Sequence, residues 1–222
     1  MERIQLSEET MGECVEHAAH VLSGGGVIVY PTDTLYGLGA DAFSDAAVDM
    51  IYEIKGRDEK KPMHCVVAGI AMAEEYAELT PDARLLLERL TPGPLTVVVR
   101  KRAGWGSGIA RGIDTIGIRI PQNDFCLALA RAFGKPFTAT SANRAGEAPR
   151  RTIDAILGQL RNPYASLLQK TSIEDLDLVI DAGQLLPSRP STVVDMSGEE
   201  PVTLREGAIP VSDVWNAIRA EA

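Results

Sequence analysis

Lys55 and Arg57 straddle Gly56, and Lys60 and Lys61 follow closely. A glycine between two cations lets a chain leaving a helix turn both towards one cleft, and the arginine fork suits phosphate oxygens. For Lys55 the alternative needs no ligand, because a cation at a helix C-terminus is favoured by the macrodipole. For Arg57 and Lys61 it is plain surface charge. The loop Tyr30-Pro31-Thr32-Asp33-Thr34-Leu35-Tyr36-Gly37 places hydroxyls and a carboxylate directly after the apolar run Val27-Ile28-Val29. Such strand ends commonly hold small ligands in α/β proteins, although the same residues can also close a turn on their own backbone. Ser141-Ala142-Asn143 follows the run 136–140 in the same way, with an ordinary Ser/Asn turn as the alternative. Arg119 interrupts the apolar Ile116-Gly117-Ile118-Arg119-Ile120. A charge there is costly without a partner, and the partner is either a bound carboxylate or an internal aspartate such as Asp33 or Asp181.

The elements that position these residues follow from periodicity. Met11, Cys14, Val15, Ala18, Ala19 and Leu22 recur at helical spacing and stop at Ser23-Gly24-Gly25-Gly26, which predicts an amphipathic helix near 8–23. A second helix is expected over Asp45–Lys55, with Ser44 as N-cap and Gly56 as the stop, so that Lys55 sits at its C-terminus. Strands are expected at 65–68, 95–99, 115–120, 136–140, 178–181 and 192–195, and further helices over about 81–90, 123–133, 152–159 and 211–219. Interleaved strands and helices with short, irregular joins predict an α/β fold, a twisted mixed β-sheet flanked by helices.

Length and composition set bounds. With 222 residues, 45% hydrophobic and 24% charged, the chain is expected to form one domain over 1–222. No apolar run approaches the roughly 20 residues of a membrane span, and the N-terminus lacks a basic region followed by an apolar core. A soluble, cytoplasmic protein with no membrane partner is expected. Cys14, Cys65 and Cys126 form neither a paired metal motif nor a disulfide framework. His17 and His20 have no third ligand, and no metal site is assigned. The net charge of -9 argues against a surface devoted to phosphate-backbone binding. Neither a Walker sequence nor a nucleophile elbow occurs.

Taken in order, Tyr30 to Ala40, Lys55-Gly56-Arg57, Gly117 to Pro121, Ser141-Ala142-Asn143, Pro190 to Asp195 and Leu204 to Ala208 resemble the YrdC-like L-threonylcarbamoyladenylate synthases. The resemblance runs from about Gly25 to Ile209. It implies a YrdC-like fold and a nucleotidyltransferase that joins L-threonine, bicarbonate and ATP, with Mg²⁺ accompanying ATP. It also implies that Lys55, Arg57, Lys61, Thr115, Ser141, Asn143 and Arg205 bind ATP. Thr32, Thr34, Tyr36, Arg119 and Ser191 are implied to hold threonine or its carbamate, and no catalytic residue is named. The family pattern commonly places a histidine where this chain has Val66, and Asp58 stands where proline is common. His64 lies on the same side of a strand as Val66, roughly 6 to 7 Å along it, and can partly replace the missing group; a half-buried structural histidine is the alternative. The implied partners are the tRNA-threonylcarbamoyl transferase machinery, with tRNA or double-stranded RNA contact through the basic groove. The alternatives are a non-catalytic paralogue binding double-stranded or structured RNA, or a carbamoyltransferase-type relative; net acidity and the lack of aromatic interleaving weigh against the RNA reading.

Overall fold

Side chains alternate across a strand, so each strand here serves two faces of one sheet. The computed structural model describes residues 1–56, 58, 62–161 and 175–219. The first half of the chain runs β1 (Glu2–Gln5), α1 (Met11–Ser23), β2 (Ile28–Tyr30), β3 (Gly37–Gly39), α2 (Asp45–Lys55), β4 (His64–Val66), α3 (Ile70–Tyr76), β5 (Ala77–Glu78), α4 (Pro81–Leu90) and β6 (Leu95–Lys101). It continues through β7 (Thr115–Arg119), α5 (Asp124–Phe133), β8 (Phe137–Ser141), α6 (Ile153–Leu160), β9 (Leu178–Asp181), β10 (Thr192–Asp195), β11 (Val202–Arg205) and a last described helix, α7 (Val211–Arg219). The strands form one mixed sheet in the order β1-β9-β2-β3-β8-β4-β7-β6-β10-β11, with β5 beside β6. The expected mixed sheet with flanking helices is the observed architecture.

On one face, Val29, Leu38, Cys65, Val97, Ile116, Ile118 and Val179 meet apolar residues of α2, α3, α4, α6 and α7. On the other, Ile28, Tyr30, Val66, Phe137, Leu178 and Ile180 are covered by Cys14, Ala18 and Leu22 of α1 and by Phe125, Cys126 and Leu129 of α5. That cover stops short of β7 and β6, which contribute no residue to this second core. The sheet face left open there carries Gly117, Arg119 and Thr96.

The caps fix where the ends fall. Ser44 accepts from Ala47 N at 3.2 Å, and Gly56 adopts the left-handed conformation that ends α2, so Lys55 is its last residue as expected. The first helix begins at Met11 and not near residue 8. Ser7 and Thr10 hydroxyls bond each other at 3.1 Å and Thr10 also donates to Gln5 O, so these residues close a turn that ends β1. Strand β1 was not foreseen, because Glu2-Arg3-Ile4-Gln5 has no apolar run; it lies parallel to β9 with Arg3 opposite Val179.

All three cysteines are free and buried. Burial raises each thiol above its ordinary value, Cys65 to about 12, so thiolate is scarce at pH 8. A chromogenic thiol reagent at that pH is expected to titrate no cysteine in the native protein and all three in denaturant; rapid reaction of the native protein would contradict this packing. No helix among the described residues is long and apolar enough to cross a membrane.

Candidate functional site

The uncovered part of the second face is a cleft of about 190 Å³. His64, Gly117 and Ala139 stand side by side on β4, β7 and β8. A Cβ at Gly117 would lie 2.4 Å from His64 Cδ2, so the imidazole rests directly on the glycine. His64 therefore lines the cleft, while Val66 on the same side is fully buried beside Phe125 and Phe137. Position 66 belongs to the core, and position 64 is the one that faces the cleft.

Arg119, at the end of β7, has the partner that sequence left undecided. Its Nη2 donates to Asp33 Oδ1 at 2.5 Å and to Thr34 Oγ1 at 2.6 Å, and Gln122 N donates to Asp33 Oδ2 at 3.2 Å. The two charged side chains are only 11% and 10% exposed. Asp181, the other candidate, is held by Arg3. Arg119 Nε is buried and has no partner among the described residues, so the guanidinium is aligned through Nη2 while one of its donors is left unsatisfied.

The loop after β2 also behaves as a turn. Thr32 Oγ1 donates to Leu35 O at 2.7 Å and accepts from the backbone N–H of Thr34 and Leu35. Thr32 thus shapes the loop that presents Thr34 and Asp33. Tyr36 lines the cleft, but its hydroxyl donates to Gly183 O at 2.8 Å and accepts from Ala182 N at 2.9 Å. Burial pushes this phenol up to about 12, so it stays a donor at neutral pH. It pins one end of the connector 182–191, whose other end, Pro190 and Ser191, also lines the cleft.

Lys55 is 3% exposed and lies behind the cleft wall. Its ammonium donates to the carbonyls of Ser141 and, at 2.8 Å, Asn143. Ser141 Oγ is hydrogen-bonded to Asn143 Oδ1, and Asn143 Nδ2 donates to Arg144 O and Glu147 O at 2.8 Å. Lys55 therefore fixes the turn that carries Ser141 and Asn143 into the lining. Arg205 Nε and Nη2 donate to Ser191 O at 3.1 and 2.9 Å, and Nη2 reaches Ser191 Oγ at 3.1 Å.

Of the residues singled out in the sequence, Thr32, Thr34, Tyr36, His64, Arg119, Ser141, Asn143, Ser191 and Arg205 come together around this one cleft. Thr115 shares a strand with Arg119 but sits at its other end, opposite Arg100, outside the lining. Arg57 and Lys61 lie outside the described residues. Sequence reasoning missed Thr96, which also lines the cleft, as does Tyr30 at the start of the loop already singled out. Thr96 carried a usable signal, a lone hydroxyl inside the apolar run Leu95 to Val99.

The Sua5/YciO/YrdC family, described as telomere recombination, matches residues 20–207 of this sequence. The chain belongs to the Sua5/YciO/YrdC family. A putative threonylcarbamoyl-AMP synthase of Methanocaldococcus jannaschii is 32% identical over 207 residues, which cover 93% of this chain and 92% of that one. The crystal structure of Pyrococcus abyssi Sua5 complexed with L-threonine superposes with a TM-score of 0.83 at 29% identity, covering 98% of this chain but 60% of that longer one. Escherichia coli YciO superposes with a TM-score of 0.78 at 26% identity, over 95% of this chain and 96% of that one. Like the longer relatives, this Sua5/YciO/YrdC chain keeps the shared domain; it spans 56% of the curated Pyrococcus abyssi threonylcarbamoyl-AMP synthase.

Proposed function

We propose that this chain is an L-threonylcarbamoyladenylate synthase, a cytoplasmic nucleotidyltransferase that condenses L-threonine, bicarbonate and ATP to threonylcarbamoyl-AMP and pyrophosphate. Its product feeds the tRNA-threonylcarbamoyl transferase machinery. The observation that carries this reading is Arg119, aligned by Asp33 and Thr34, with a buried and unpartnered Nε at a cleft edged by hydroxyls. A buried donor without an acceptor is costly, and an anionic oxygen removes that cost. The names of the relatives, and the threonine bound to the Pyrococcus abyssi protein, favour an amino-acid carboxylate as that anion.

In this reading the threonine amine and bicarbonate form a carbamate with loss of water. A carbamate oxygen attacks the α-phosphorus of ATP, the bond from that phosphorus to the bridging oxygen breaks, and pyrophosphate leaves. No protein nucleophile is needed, and the residues' task is to align two anions and offset developing charge. Arg119, Thr34 and Ser191, with His64 beside them, are assigned to the amino acid. The turn Ser141 to Asn143, held by Lys55, is assigned to ATP together with Arg57, Lys61 and Arg205; Thr115, at the far end of β7 and outside the lining, is left out of that assignment. Mg²⁺ enters as MgATP. Bound with ATP, it would offset charge on the phosphates; among the described residues no group of three or more His, Cys, Asp or Glu could hold a metal by itself.

Purified protein supplied with MgATP is expected to release pyrophosphate only when threonine and bicarbonate are both present, with threonylcarbamoyl-AMP detected by mass. Equal release in degassed, bicarbonate-free buffer would sink the assignment in favour of simple amino-acid adenylation.

A further inference from the structure

Thr96 and Ser191 together hold one proton more than the surrounding protein accepts. Ser191 Oγ accepts from Arg205 Nη2 at 3.1 Å, and a guanidinium can only donate. Thr96 Oγ1 lies 2.9 Å from Ser191 Oγ, and that oxygen is its partner among the described residues. One of the two hydroxyls donates to the other. The remaining hydroxyl proton then has no protein acceptor among the described residues, although both side chains are buried and line the cleft. The charge-assisted bond from Arg205 polarises the pair in the same sense, strengthening it as a donor.

The direction of that donor follows from the register. Thr96 stands directly opposite Arg119 across the antiparallel β6 and β7 pair, and such neighbours have Cβ atoms about 4.5 to 5.5 Å apart on one face. Arg119, on the facing strand, also carries a donor, Nε, that has no partner among the described residues. Two vacant donors from adjacent strands match the two oxygens of a single carboxylate.

We propose that Thr96 is a positioning residue of the amino-acid subsite: with Ser191 and Arg205 it aims a hydroxyl proton at the substrate carboxylate that Arg119 binds. The inference rests on the synthase reading for the identity of that carboxylate. It changes the role of Arg205, which by its bonds to Ser191 serves the amino-acid subsite as well as any nucleotide.

The test is calorimetric titration with L-threonine, and separately with a non-hydrolysable ATP analogue, of the native protein, Thr96→Val and Thr96→Ser. Valine keeps the shape of the side chain and removes the hydroxyl, whereas serine keeps the hydroxyl. Threonine affinity is expected to fall about tenfold in Thr96→Val, the scale of one hydrogen bond, with nucleotide affinity changed less than about twofold. Thr96→Ser is expected to retain native threonine affinity, and in turnover the KM for threonine should rise in Thr96→Val more than kcat falls. If Thr96→Val loses its cooperative melt, Thr96→Ala, which adds no methyl in place of the hydroxyl, takes its place. Native threonine affinity in the hydroxyl-free variant overturns the proposal, as does equal loss of nucleotide affinity or a serine variant no better than valine. A native protein that binds no threonine at all refutes the synthase reading, and this inference falls with it. Native binding with an unaffected Thr96→Val refutes this inference alone.

Discussion

Thr-dependent activity and fold stability are expected to be lost together in Arg119→Met. The substitution leaves Asp33, 10% exposed, with a single contact from Gln122 N, and removing one partner of a buried pair typically costs about 3 to 5 kcal/mol. For a chain of this size that corresponds to a fall in Tm of roughly 10 °C. The double variant Asp33→Asn with Arg119→Met separates the two roles, because it removes the stranded charge along with its partner. Its melting temperature is expected to recover most of the loss, whereas threonine binding is not. A single variant that melts like the native protein would show that Asp33 does not depend on Arg119. A double variant that binds threonine would show that the carboxylate is held elsewhere.

Gly207→Ala is expected to lower turnover about a hundredfold, although Gly207 is not itself a residue of the lining. A Cβ at this position would lie 2.1 Å from Pro190 O and 2.4 Å from Ser191 C. Both are backbone atoms that cannot rotate away, so the end of the connector must move. Such a shift pulls Ser191 O from the Arg205 fork and Pro190 O from Ala208 N. Overpacking of this kind costs about 1 to 3 kcal/mol or more, and a displacement near 1 Å at a binding group can lower turnover about a hundredfold. Gly198→Ala is the matched control, since its Cβ would meet no atom nearer than 3.8 Å. Melting curves and pyrophosphate release on the two variants check the contrast. Near-native turnover in Gly207→Ala would mean that the position of Ser191 is unimportant.

Much of the frame was legible because it rests on local chemistry. Ser44, the apolar face of Ala47 and Ile51, and Gly56 specify α2 within a short window, and they place Lys55 at its end. What Lys55 does there was not legible, since its acceptors lie 86 and 88 residues away. Arg119 announced itself as a charge in an apolar strand, but its choice between Asp33 and Asp181 depends on which strands adjoin. Thr96 gave a weaker signal, because threonine is an ordinary strand residue and only burial reveals its hydroxyl as unusual. Strand β3 holds two glycines and reads poorly from propensity; it forms because β2 and β8 flank it on either side. The substitution of Val66 for a family histidine was visible in sequence, and its meaning required knowing that position 66 faces α5.

The pairing of β1 with β9 has a consequence for how the protein is made. Arg3 and Asp181, joined across these strands, stand 178 residues apart, and the lining of the cleft draws on segments from Tyr30 to Arg205. Contacts of such long sequence separation must close large loops before they stabilise anything, which slows folding. During synthesis the emerging N-terminal half can form α1 and α2, but β1 has no strand to join and the cleft lacks Ser191 and Arg205. The cleft is therefore completed only after these late segments emerge, and the edge of β2 that β9 will cover is exposed to wrong partners until then.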